Sequence, residues 1–431
     1  MKTSAMKTLI KNGRVIDPAN NIDAICDVLL ENNKIVRVAA SITDSAETVI
    51  DAAGKIVMPG IVDMHAHLRE PGREDKETIA TGTQAGLRAG VTSVLAMPNT
   101  QPAIDCAENA VFLKAIIDKT AKSGVFICGA ITKGRLGKEL ADLSGLKKAG
   151  AVAISDDGAC VDNDELMLKA LKKAKEFDIL TISHCEDKSL TACGVVNLGI
   201  ISTRLGLRGI SCESEYKRVQ RDIQLAQEAG ARIHIAHLSC KESVELVAKA
   251  KKKGIMVTAE VAPHHFALTQ EAVLGFDTNM KMNPPLRSLD DQKALKEGLR
   301  DGTIDAIASD HAPHTENEKE IEFDRAEFGV IGLETGLAVS ITHLIKTGLL
   351  DWPELVKKLC LNPAKILKIN KGTLGKGCDA DIIVVSPGKE WIVKKEGLLS
   401  KSKNSAFLGK TLTGEVEYTI CAGRIAYKRA L

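Results

Sequence analysis

A chain of 431 residues, 44% of them hydrophobic, can bury one large core plus an appendage, so a single small module is excluded. A formal charge of +2 provides no large basic field, which disfavours nucleic acid as a partner and suits a small polar metabolite. No stretch approaches the roughly 18 consecutive apolar residues of a membrane helix, and the polar start at 1–14 lacks a signal-peptide core, so a cytoplasmic protein with no membrane span is expected.

Residues 1–5 precede a second Met-Lys-Thr at Met6 and read as an extension or an upstream start. From 9 to 57 short alternating runs such as 34–38, punctuated by Gly and Asn, predict β-structure. Eight short apolar segments then recur, at 56–64, 92–97, 125–131, 151–155, 179–183, 232–236, 256–261 and 304–309. Helix-like patterning fills most of the gaps, at 76–89, 108–119, 164–176, 217–229, 241–252 and 290–300. Strand and helix alternating eight times predict an α/β fold, a (β/α)8 TIM barrel over 58–371, with active residues on the loops that follow the strands. A doubly wound open sheet is the rival, but it would gather its site at one switch point rather than at five strand ends. The connection from 184 to 232 is long and carries the Gly-rich stretch 194–209, which suits a lid, a subunit contact or a plain excursion. Alternating runs return at 382–385 and 415–420, so 1–57 and 372–431 are expected to pair into one small β-domain.

The chemistry gathers where the predicted strands end. In an extended strand residues two apart share a face, so His65 and His67 can converge on one ion. Three more strand-like segments end in ligand-type residues, at His184, His237 and Asp310. Imidazoles and carboxylates without thiolates suit zinc, with manganese or iron as alternatives. The eleven cysteines are odd in number and include no Cys-x-x-Cys pair, which argues against a disulfide framework and a thiolate zinc site. They read as small buried residues, with Cys185, beside His184, the one near chemistry. Two ions would need a bridging anion, and Asp156 and Asp157 are the candidates. Being adjacent they point to opposite faces, so at most one bridges, and a tight Asp-Asp-Gly turn is the alternative for both. Asp310 can serve as ligand and as general base beside a metal whose bound water has a pKa lowered towards roughly 7.

Arg69 starts the first loop, where a guanidinium pairs with a substrate carboxylate or lies on the surface. Asn99 and Asn283 stand beside prolines, where turn formation is the commoner role. His314, four residues past Asp310, reaches the same mouth or is exposed. His264 and His265 close the seventh segment when the pocket already has enough ligands. His234, of opposite strand parity to His237, is expected against the helix layer, and spacing assigns no role to His311.

Taken together, Asp63-Met-His-Ala-His-Leu-Arg-Glu-Pro-Gly72, Met97-Pro-Asn-Thr100, Ile154-Ser-Asp-Asp-Gly158, Asn283-Pro-Pro-Leu-Arg287, Ser309-Asp-His-Ala-Pro-His314 and Phe328-Gly-Val-Ile-Gly-Leu-Glu-Thr335 resemble the bacterial type I dihydroorotases of the cyclic amidohydrolase superfamily, over nearly the whole chain. The resemblance implies a barrel with a small β-sandwich domain from both ends. It implies two Zn2+ per subunit, one held by His65, His67 and Asp310, the other by His184 and His237, with Asp157 as the bridge. Arg69, Asn99 and His314 would grip the substrate carboxylate, while Asn283 and the backbone at Phe328 and Gly329 would read the pyrimidine ring. The implied reaction is reversible closure of N-carbamoyl-L-aspartate to L-dihydroorotate in pyrimidine (UMP) biosynthesis. In the opening direction Asp310 would protonate the departing nitrogen. Closure turns a dianion into a monoanion and consumes a proton, so low pH favours it. The implied partners are a second copy, as a homodimer, or aspartate transcarbamoylase, some of whose dihydroorotase-like partners are inactive scaffolds that have lost metal ligands. Hydantoinases and allantoinases share the fold. They usually carry a lysine on the fourth strand, whereas here Lys147 and Lys148 precede it.

Overall fold

The apolar run 56–64 is two strands, and the break between them joins the two parts of the architecture. In this computed structural model, which describes residues 7–191 and 193–430, Ile56–Pro59 pairs antiparallel with Ile382–Ile392, whereas Ile61–Ala66 opens the barrel. The extension expected at residues 1–5 lies outside the described residues. Gly60 donates its N–H to the Asp381 carbonyl at 2.8 Å, and a Cβ on it would run into the Thr92 side chain. Only glycine lets the chain change sheets at this spot. Met58 and Pro59, expected on the barrel side of a boundary at 57/58, pair instead with Ile383 and Ile382.

The terminal sheet has eight strands drawn from both ends of the chain. Its order is Arg424–Lys428, Thr411–Cys421, Ile382–Ile392, Ile56–Pro59, Lys7–Asp17, Ile22–Glu31 and Lys34–Ala39, with Thr48–Asp51 parallel to Lys7–Asp17. Hydrogen bonds run through it as one continuous mixed sheet. Ile10, Val28, Leu30, Val57, Ile382 and Ile420 give it a core of its own.

Eight parallel strands follow one another in chain order around the barrel: Ile61–Ala66, Val91–Ala96, Gly124–Gly129, Ala151–Ile154, Leu180–Ser183, Ile233–Ile235, Val257–Val261 and Ala306–Ile307. The ring closes just beyond the last strand, where His311 bridges Ala66 and its carbonyl accepts from the His67 N–H at 2.8 Å. His311 therefore has a structural place that spacing did not reveal. It is fully buried, with Nδ1 accepting from the Gly332 N–H and Nε2 3.3 Å from Glu77 Oε2. Alternation sorts the side chains into two layers. Met64, Leu95, Cys128, Ile182, Ala236 and Ala306 fill the interior, and Val94, Ile127, Ile154, Ile233 and Val257 face the helices.

Helices Ile79–Arg88, Ala107–Thr120, Asp164–Glu176, Glu213–Ala229, Lys241–Lys252 and Leu289–Asp301 fall on the six predicted segments. Three begin on side-chain caps, from Thr78, Asn163 and Ser288, that satisfy otherwise unpaired N–H groups. Two helical regions carry no clear period. Leu143–Lys148 has six residues, too few for one. The run from Gly336–Ser340 to Asn362–Leu367 is buried on several faces, through Leu337, Val339, Ile341, Leu344 and Leu355, so no single apolar stripe marks it. The long excursion before Ile233 is fastened by buried Arg287, whose Nη1 donates to Asn197 Oδ1 at 2.7 Å and to the Ile210 carbonyl at 2.8 Å.

Candidate active site

All the ligand-type residues singled out at strand ends converge at one mouth. His67 Nε2 lies 3.3 Å and His65 Nε2 3.7 Å from Asp310 Oδ1. Asp157 stands among the imidazoles, with Oδ1 3.4 Å from His65 Nε2, 3.5 Å from His184 Nδ1 and 3.7 Å from His237 Nε2, and with Oδ2 3.5 Å from His67 Nε2. His184 Nδ1 and His237 Nε2 are 2.8 Å apart. Asp156 points the other way, accepting from the Ile131 N–H at 2.8 Å, the Thr132 N–H at 3.1 Å and the Thr132 hydroxyl. Adjacent carboxylates thus divide into one that faces the cluster and one that ties down the end of the third strand.

Strand parity misplaces one histidine. His234 is not against the helix layer but inside the barrel, its Nδ1 2.8 Å from Thr258 Oγ1 and its Nε2 3.2 Å from Glu260 Oε2. The reason is local: His237 has a left-handed backbone with φ of 31°, so alternation does not run through it. Glu260, which no motif marks, accepts from His65 Nδ1 at 2.6 Å and so aims Nε2 into the cluster. Burial pushes its carboxyl up, but His65 and His234 outweigh that and hold it at about 2. Asp63 adds a second brace, accepting from the backbone N–H of His65 at 3.1 Å and of Ser309 at 3.2 Å, and burial lifts its carboxyl to about 6. Its position two residues before His65 was the available signal.

The substrate-side residues line the same mouth. Asn99 Oδ1 accepts from His67 Nδ1 at 2.8 Å, which orients that ring. Arg69 Nε donates to the Pro313 carbonyl at 3.1 Å, and its Nη2 lies 3.3 Å from His314 Nε2. Lys76 Nζ donates to His314 Nδ1 at 3.0 Å, so His314 carries its proton on Nε2, directed at the Phe328 carbonyl at 2.8 Å. Burial, then Arg69 and Lys76, press the His314 pKa down to about 2, and burial lowers that of Arg69 to about 10. Asn283 Nδ2 donates to Glu186 Oε1 at 3.1 Å, and Glu186 Oε2 is 3.5 Å from His184 Nε2. Lys76 escaped sequence reading because it lies far from a strand end, and Glu186, three residues past its strand, because no spacing sets it apart from its neighbours. Cys160, rather than Cys185, is the thiol near the cluster. Its Sγ donates to the His184 carbonyl at 3.2 Å, while Cys185 Sγ turns to Ser183 and Asp222. His265 Nε2 is taken by the Pro284 carbonyl at 2.9 Å, and burial keeps His264 well below the usual imidazole range. Neither joins a metal-binding group among the described residues.

The donor set fits a cation. His65, His67 and Asp310 form one group, and His65, Asp157 and His237 another, with ligand atoms within 4.8 Å of one another in each. Two buried atoms that face each other in the cluster, His65 Nε2 and Asp157 Oδ1, have no hydrogen-bond partner. Such atoms cost about 1–3 kcal/mol each when nothing binds them. Asp157 is buried, yet its histidine neighbours hold it well below the usual carboxylate range, so it stays ionised in a dry setting. Bound metal relieves both conditions.

Carboxylates and imidazoles so disposed at the C-terminal mouth of a (β/α)8 barrel suit a metal-assisted hydrolase. Residues 54–243 match the family described as Dihydro-orotase-like. The chain is 56% identical over 420 residues to the dihydroorotase of Elusimicrobium minutum, covering 97% of each chain, and 51% identical to that of Pelotomaculum thermopropionicum, covering 97% of this chain and 98% of that one. Its fold resembles that of the L-hydantoinase from Arthrobacter aurescens with a TM-score of 0.90 at 26% identity, over 98% of this chain and 96% of that one. The chain belongs to the dihydroorotase family.

Proposed function

We propose that the chain catalyses the zinc-dependent, reversible closure of N-carbamoyl-L-aspartate to L-dihydroorotate in pyrimidine synthesis. The observation that carries this reading is the company kept by the ligand cluster: a half-buried guanidinium, Arg69, 3.3 Å from His314, and Asn99 bonded to the ring of His67, a set suited to a carboxylate next to the reacting amide. In our reading His65, His67 and Asp310 hold one ion, His184 and His237 hold a second, and Asp157 bridges them. Zinc, when bound, lowers the pKa of water towards about 7 and polarises the amide carbonyl. The chain's own residues do the rest. Arg69, Asn99 and His314 bind the carboxylate, and Asn283 with the backbone of Phe328 and Gly329 orients the ring. Asp310 takes a proton from the attacking water in the opening direction and delivers it to the departing ring nitrogen. A homodimer or a complex with aspartate transcarbamoylase, in the cytoplasm, completes the proposal. No helix among the described residues is long and apolar enough to cross a membrane.

The hydantoinase-like fold favours one alternative, another cyclic amide as substrate. The deciding assay is the ring opening of L-dihydroorotate at mildly alkaline pH, followed by ultraviolet absorbance, beside hydantoin and allantoin and with chelator-treated protein. Turnover of dihydroorotate alone, lost with the metal and restored by zinc, is expected. Activity only on another ring would move the chain to a sister activity, silence with zinc bound would favour a missing partner subunit, and failure to bind zinc would favour an inactive scaffold. Arg69→Met is expected to raise KM for dihydroorotate about 10–100-fold, the weight of one or two charge-assisted hydrogen bonds, with zinc content unchanged. A loss of zinc equal to the loss of affinity would instead place Arg69 in support of the metal.

A further inference from the structure

The segment 327–329 presents its carbonyls to two sides. Those of Glu327 and Gly329 accept from Lys319 Nζ at 2.8 and 3.1 Å, whereas that of Phe328 accepts from His314 Nε2 at 2.8 Å. A third carbonyl, of Lys281, lies 3.4 Å from the same ammonium, and it also accepts from the Gly329 N–H at 3.0 Å. Lys319 is only 4% exposed, an unusual position for a lysine, and all these bonds go to backbone. We infer that Lys319 is a positioning residue for substrate binding: by holding the carbonyls on both sides of Phe328 it turns the Phe328 carbonyl towards His314 and sets the ring-reading backbone in place.

Three observations support this role. Asn404 Nδ2 also reaches the Gly329 carbonyl, at 3.1 Å, and Asn404 Oδ1 accepts from the His314 N–H at 3.2 Å, but Lys319 is the group that holds Glu327 as well. Gly329 has φ of 127°, a conformation closed to other residues, and a Cβ there would lie 2.7 Å from Ala312 Cβ, so the segment has little freedom of its own. With Nε2 facing the Phe328 carbonyl and Nδ1 held by Lys76, the His314 ring has one orientation, and that orientation sets Nε2 3.3 Å from Arg69 Nη2. Lys319 therefore acts on the substrate through the backbone and through His314, not by touching it. The inference rests on the dihydroorotase reading above.

Two variants test it. Lys319→Met keeps the side-chain length and removes the donors. Lys319→Ala leaves a space next to a cavity of about 170 Å³ that Lys319 lines, through which a small amine can enter. KM for L-dihydroorotate is expected to rise about 10–100-fold in both, the effect of losing the hydrogen bonds to the Glu327 and Gly329 carbonyls, with kcat within about threefold and zinc content unchanged. Added ethylamine is expected to lower the KM of Lys319→Ala at least fivefold and to leave Lys319→Met, whose site is filled, unaffected. An unchanged KM in either folded variant, or a parallel fall of kcat and zinc content without amine rescue, would overturn the inference while leaving the function intact. Absence of wild-type turnover in the same assay would overturn the function and this inference together.

Discussion

Asp310→Asn is expected to lower the turnover of L-dihydroorotate about 10²–10⁴-fold at saturating zinc, the range for loss of a general acid–base group. The carboxylate is placed to exchange protons at the heart of the cluster, with Oδ1 3.3 Å from His67 Nε2. Burial alone would raise its pKa, but His67, His65 and His237 reverse that and hold it ionised, ready to accept. An amide of the same shape can still occupy the position but cannot take the proton. The choice of Asn also spares the backbone, because Asp310 has φ of 45°, and Asn tolerates the left-handed region better than most residues. The variant should therefore fold, and its zinc content, measured beside kcat, separates lost chemistry from lost metal. Retention of more than a tenth of the wild-type rate would remove Asp310 from the proton path.

The second large effect is a contrast between neighbours. Asp157→Ala is expected to lose at least one of the two proposed ions per chain and to cut turnover by more than about 10²-fold, the scale already reached when only the partner of a metal ligand is removed. Its carboxylate lies within 3.7 Å of His65, His67, His184 and His237 alike, the position the proposed bridge requires. Asp156→Ala should instead destabilise the fold by about 1–3 kcal/mol, because two backbone N–H groups lose their acceptor, and keep the metal. Metal analysis and thermal unfolding of the two variants decide the matter. Full metal content and rate in Asp157→Ala would sink the bridge assignment, and a metal-free Asp156→Ala would exchange the roles.

Much of the barrel is legible because its strands are short apolar runs between amphipathic helices, and six helices lie where the apolar period places them. The eighth strand is reduced to Ala306–Ile307, and closure passes to His311, a bridge that depends on Ala66 some 245 positions earlier. The terminal sheet shows the same division. Its alternating runs announce strands, but the run 56–64 contains no signal beyond Gly60 that its first half belongs to a different sheet.

At the site, residue type and spacing were enough to bring the ligand-type residues together: His65, His67, His184, His237 and Asp310 stand at or just past strand ends, and in a barrel all strand ends meet at one mouth. That information is local, and the repeat supplies the geometry. The supports are different in kind. Glu260 meets His65 across 195 residues, Lys319 meets two carbonyls beyond its own loop, and His234 lies inside because the left-handed turn at His237 inverts the parity that alternation predicts. By itself the sequence determined the repeat, the donor types and the end of the barrel where they gather. Spacing left Asp156 and Asp157 open and the family resemblance implied Asp157; the tertiary structure shows that Asp157 faces the histidines, and it alone decided which buried groups aim them, because those outcomes depend on backbone torsions and on contacts between distant segments that no local period encodes.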